Sequence, residues 1–165
     1  MDQSFKQSCI KYIEMNPERI SKCLSKLTED QVWAKPNESV NSIGNLILHV
    51  QGNMTQYILS GLGGLPDIRI RDEEFTSYKT HSKEELINSF NETIKKVVNT
   101  ILNLQPTSLL EEYQIQGFTL IGMEVIIHVT EHLSYHVGQI ALMTKLTTNS
   151  QVGFYENLDL NKLNN

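Results

Sequence analysis

Three of the chain's five histidines, His128, His132 and His136, stand at four-residue intervals in the run from residue 128 to residue 136. Around them Ile126, Val129, Leu133, Val137 and Ile140 recur at the three-and-four spacing of one helical face. Four residues of helix turn through about 400°, so His132 and His136 project from nearly the same side, one turn apart. Two imidazoles so placed can grip one metal ion, and HxxxH on a helix is a recurring metal grip. A pair leaves the coordination sphere mostly open, so a third ligand must come from another segment. His49 is the other histidine on an apolar-striped stretch. It lies on one flank of its stripe, as His132 and His136 do on theirs. His128 is rotated about 80° from His136 by the successive four-residue steps and reads as a group behind the pair or facing solvent. His81, in a loop before a helix cap, reads as structural.

Three neutral imidazoles suit a borderline divalent ion such as Zn, Ni, Co or Fe(II), and disfavour Mg and Ca, which prefer oxygen. Three ligands on two helices leave one to three positions for water or substrate, the mark of a site that handles a guest. Water there could act as base or nucleophile, and a thiol could bind as thiolate. Ester or amide hydrolysis needs a general base; Glu131 is adjacent, but on a helix it points about 100° from His132. No catalytic residue is assigned. A third reading makes the chain a non-enzymatic small-ligand carrier with structural histidines.

These residues need helices to hold them. Phe5, Cys9, Ile13, Ile20, Leu24 and Leu27 form a stripe in phase across Asn16-Pro17, a kinked helix or two stacked pieces with Asn16 capping the second. Thr28 to Gln31 has capping-box spacing and starts a short turn ending near Trp33, which reads as a core plug. Asn41-Ser42 caps a second long helix with Ile43, Leu46, Ile47, Val50, Met54, Tyr57 and Ile58 inward, and Gly61 to Pro66 ends it. Residues 66 to 81 read as a charged, solvated connection with local ion pairs; a lip over a pocket, with Arg69 or Arg71 meeting an anionic group, is the alternative. Ser82 to Glu85 is another capping box and opens a third helix, which Pro106 closes. Residues 107 to 118 read as irregular with a turn at Gln116-Gly117, and Thr119 as the cap of the fourth helix. In the tail, Phe154 and Tyr155 are expected to dock and the last few residues to be loose.

Four amphipathic helices and no convincing strand predict an all-α protein, a four-helix bundle with a long connection between its second and third helices. The 165 residues make one domain, 1–165, long enough to bury a core without disulfides or zinc clips. A net charge of −5 argues against nucleic acid as partner. No apolar run reaches membrane-spanning length, and the first residues lack the basic-then-apolar order of a signal peptide, pointing to a cytoplasmic protein. Cys9 and Cys23 fall about 20 Å apart along one helical stretch, too far for a disulfide, and read as buried thiols.

The segment Ser42-Ile-Gly-Asn-Leu-Ile-Leu-His49-Val-Gln-Gly-Asn53, joined to Glu131-His132-Leu-Ser-Tyr-His136-Val-Gly-Gln-Ile140, resembles the DinB-like superfamily, which includes YfiT-type metal-dependent hydrolases and bacillithiol S-transferases. The likeness covers nearly the whole chain. It implies a four-helix bundle, commonly a homodimer, holding a divalent metal (Zn or Ni foremost) with one histidine of the second helix and an HxxxH pair of the last. Those positions match His49, His132 and His136. It further implies a metal-dependent transfer of a low-molecular-weight thiol to an electrophile, or hydrolysis of a small ester or amide.

Overall fold

Capping chemistry sets where the helices begin. In the computed structural model, which describes residues 2–163, helices α3 (Glu29–Trp33), α4 (Ile43–Met54) and α6 (Lys83–Asn103) each start with a full capping box. The Ser42 and Ser82 hydroxyls accept the Asn45 and Glu85 backbone N–H groups, and the side chains at 45 and 85 accept in return. Helices α1 (Asp2–Glu14) and α2 (Asn16–Ser25) are the two stacked pieces. Asn16 does not cap α2: its amide donates back to the Tyr12 carbonyl at 2.8 Å and so closes the end of α1.

The architecture is mostly helical, with four long helical units around one apolar core. The α1–α2 unit and α4 each pack against α6 and against α7 (Gly122–Thr148), so the first and second units face each other across the bundle. Ile13, Ile47, Ile58, Leu86, Val97 and Val129 are fully enclosed where the stripes meet. Trp33 plugs one end at 2% exposure, its indole N–H donating to the His81 carbonyl. Gly44 makes room for it: a Cβ there would stand 2.8 Å from the indole carbons.

Three parts depart from the expected layout. Helix α4 runs on as a π-helical stretch, Thr55–Leu62, and the Gly63 N–H reaches back five residues to the Ile58 carbonyl. The connection from 66 to 81 contains helix α5 (Arg71–Thr76), which packs on α4. Residues 112–121 form a hairpin, β1 (Glu112–Ile115) and β2 (Phe118–Ile121), antiparallel. The Gln116-Gly117 turn is real, with positive φ at both residues as a tight two-residue hairpin requires. Thr119 lies in β2 and caps nothing. The fourth helix begins at Gly122, where the Glu124 carboxylate accepts the Ile121 N–H.

In the tail, Phe154 packs against the core and the Tyr155 hydroxyl accepts from Arg19 at 2.7 Å. The expectation of loose last residues falls in part on 164 and 165, outside the described residues. Cys9 and Cys23 are buried free thiols, both pushed up in pKa by burial. Among the described residues no helix is long and apolar enough to cross a membrane.

Candidate metal centre

The packing of α4 against α7 brings His49 to His132 and His136. The ring centroids of the three form a triangle with sides of 5.0, 4.9 and 4.5 Å, and one nitrogen from each lies within 4.8 Å of the others. His49 Nε2 stands 3.2 Å from His132 Nε2. Two nitrogens bound tetrahedrally to one zinc ion at about 2.0–2.1 Å stand about 3.3 Å apart, so this pair already has the spacing of co-ligands.

Which nitrogen faces inward follows from what the other one does. His49 Nδ1 is 2.8 Å from Glu74 Oε2. A carboxylate only accepts, so the proton sits on Nδ1 and the Nε2 lone pair points at the cluster. Arg69 Nη2 also lies 3.2 Å from that Nδ1, but both are then donors, and the Nη2 proton goes to Glu74 Oε2 at 2.9 Å. His136 Nδ1 is 2.7 Å from Gln139 Oε1, one turn on along α7. The amide oxygen accepts, and Nε2 is left with its lone pair. His132 has no such anchor among the described residues: its Nδ1 is buried without a partner there. The metal-free arrangement that satisfies all of this has His132 Nε2–H donating to His49 Nε2.

Charge supports the same reading. Burial, then repulsion from His136, His49, His128 and Arg69, pulls His132 down to about 3. Burial also lowers His136, against the opposing pull of the Gln139 hydrogen bond. At neutral pH both rings are uncharged nitrogen donors, the state a metal requires. The three donors could hold a divalent metal ion.

The outer support comes from α5. Burial works to raise the Glu74 carboxyl, but hydrogen bonds from His49 and Arg69, with the guanidinium charge, outweigh it and hold the group below the usual carboxylate range. Arg69 grips it twice, Nε to Oε1 at 2.6 Å and Nη2 to Oε2, while Nη1 donates to Gln56 at 2.8 Å. The Asn45 amide donates to the Glu74 and Ser77 carbonyls and ties α5 to α4. Gly52 permits the close approach, since a Cβ there would overlap Glu74 Oε1. The local ion pair expected in this connection exists. It is buried rather than solvated: the Arg69 and Glu74 side chains are 4% and 10% exposed. Glu74 escapes sequence reasoning, where the signal was an Arg and a Glu five apart beside a helix whose flank is polar at Asn45, His49 and Asn53; Gln139 is legible in the sequence as a nearby acceptor, but which ring it serves is not.

A cavity of about 400 Å³ opens beside His49 and His132, and an apolar groove of about 550 Å³ beside His136, walled by Tyr135, Leu142 and Leu146. His128 lines the first. Its Nε2 is 3.3 Å from the Asn53 amide and its ring lies 4.5 Å from that of Tyr57. It thus lies next to the triad rather than among its converging nitrogens. Burial lowers its pKa, against Glu131. Glu131 is exposed and lines neither space. His81 is exposed, its ring against the Thr80 hydroxyl.

A family described as "Protein of unknown function (DUF1572)" matches residues 1–158. No curated protein matches the chain. Among solved structures, the chain is similar to a DinB-like protein from Bacillus cereus (15% identity, TM-score 0.69, covering 88% of this chain and 91% of that one). It is also similar to a conserved protein from Enterococcus faecalis (13%, 0.72, 87% and 97%) and a DinB-like protein from Bacillus subtilis (16%, 0.65, 85% and 91%). At such identities the likeness is one of fold.

Proposed function

This chain belongs to the DUF1572 family, a family of unknown function, and has the DinB-like fold; from that premise we propose that it is a metal-dependent enzyme joining a low-molecular-weight thiol to an electrophilic small molecule. The observation that carries the reading is the convergence of His49, His132 and His136, two of them with outer nitrogens already committed to acceptors, at the edge of an open cavity. The three would hold one divalent ion. When bound, such an ion supplies Lewis acidity that lowers the pKa of a thiol at an open position.

The chain's own residues do the rest. Glu74 and Gln139 fix two rings in the tautomer that presents Nε2. Arg69 holds Glu74 in place. Tyr57, bonded through its hydroxyl to Gln116 at 2.9 Å, and Phe118 line the cavity. A thiol is favoured over a water nucleophile because the Glu74 carboxylate against the triad is neutralised by Arg69, and among the described residues no carboxylate lines the cavity. No carboxylate is then free to take a proton from water, whereas a thiol gives up its proton far more readily.

The test is a panel of thiols with a chloronitroarene acceptor, run with Zn- or Ni-loaded and chelator-stripped protein. Conjugation that depends on both metal and thiol is expected. Absence of metal-dependent turnover across the panel refutes the transferase reading, and ester cleavage without thiol replaces it with the hydrolytic one.

A further inference from the structure

The cavity beside the triad is unusual for an acidic chain. Among the described residues its lining includes two arginines and three histidines and no Asp or Glu, in a protein of net charge −5. The two arginines are not equivalent. Arg69 is spent, with Nε and Nη2 on Glu74, Nη1 on Gln56, and its side chain almost wholly enclosed. Arg71 is exposed and, among the described residues, pairs with no carboxylate. It is nonetheless held in place. Its guanidinium lies 4.9 Å from the centroid of the Phe75 ring, and that ring lies 4.9 Å from the His49 ring. Two successive contacts through Phe75 therefore connect Arg71 to His49, and both of these line the cavity.

We propose that this cavity selects molecules bearing a carboxylate, which Arg71 binds while the other end of the molecule reaches the ion; this rests on the metal reading above. A guanidinium offers a planar fork that matches a carboxylate, and the Phe75 ring restrains it before the guest arrives. The rest of the lining supplies hydrogen-bonding groups, Asn53, Gln116 and the Tyr57 hydroxyl, without opposing charge. A cavity of about 400 Å³ is within the range of small-molecule sites. An uncharged thiol of the same length would leave Arg71 unanswered.

Cobalt(II)-loaded protein is titrated with 3-mercaptopropionate, 2-mercaptoethanol and cysteamine, read by thiolate-to-cobalt absorption. The wild type is expected to bind mercaptopropionate about tenfold more tightly than mercaptoethanol, and cysteamine most weakly. In Arg71→Gln the advantage falls to within about twofold while mercaptoethanol binding is unchanged, and Arg71→Lys keeps most of it. Equal affinities in the wild type, or a preference that survives Arg71→Gln, overturn the carboxylate assignment and leave the metal reading intact. Failure of the wild type to take up cobalt overturns the metal reading and this inference with it.

Discussion

Replacing Glu74 with Gln keeps the side chain's shape and removes its charge. In the native protein that carboxylate accepts from Arg69 at 2.6 and 2.9 Å and from His49 Nδ1 at 2.8 Å, in a setting where Arg69 is 4% exposed. The variant leaves a buried guanidinium without a counter-charge, and removing one member of a buried pair costs about 3–5 kcal/mol. The rim of the connection retains some water access, so we take the low end, about 3 kcal/mol, or roughly 6–12 °C in melting temperature for a chain of this size. The amide can also offer its N–H to His49, which favours the opposite tautomer and turns a proton, rather than a lone pair, toward the cluster. Metal affinity should therefore fall about 10- to 100-fold. Urea unfolding of the metal-free protein measures the first effect and zinc titration against a chromophoric chelator the second. Glu73→Gln, on the exposed face of α5, is the control and should stay within about 0.5 kcal/mol. A Glu74→Gln protein matching that control in both assays would refute the idea that α5 latches the site.

Gly52→Ala should behave like a weaker Glu74→Gln. An alanine in a helix interior usually stabilises by about 0.5–1 kcal/mol, but here its Cβ would displace the Glu74 carboxylate; a raised urea midpoint contradicts this. Adding zinc to about 100 times its dissociation constant should stabilise the protein by about 2.7 kcal/mol, seen as a melting shift that chelator reverses. Metal-free protein should weaken as pH falls. His132 titrates at about 3 in the fold against an ordinary 6.5, so between those values the unfolded chain binds a proton that the folded one refuses, and the stability present above 6.5 drains away. Glu74, held low, adds to the loss below its ordinary range. Because the rings are partly exposed, about 1 kcal/mol between pH 7 and 5 is expected from urea midpoints, and an unchanged slope in His132→Ala would assign it elsewhere.

The bundle was legible because its signals are local and strong. Stripes such as Leu86, Phe90, Ile94, Val97 and Ile101 bury one face, and the two capping boxes at Thr28 and Ser82, with the cap at Ser42, mark helix starts. The meeting of His49 with the 132–136 pair was legible as a face argument, since all three sit on the flank of a core stripe. The hairpin was not, because its strands are four residues long and only Ile115 is buried, leaving no alternation to read. Asn16 misled because a residue between two helices can serve either end, and its amide bonds backward. The latch was hidden because an ion pair looks the same in sequence whether buried or solvated. What decides is the fit of α5 against Gly52, a tertiary fact.

On the proposed reading, three imidazoles from α4 and α7 hold one ion with room for a guest. X-ray absorption at the zinc edge, on protein loaded to saturation, tests it most directly. One zinc per chain with the scattering of three imidazoles plus light-atom neighbours is the predicted result, reduced to fewer imidazoles and weaker uptake in His132→Ala. Substoichiometric zinc, or a spectrum and occupancy unchanged by that substitution, would contradict the account.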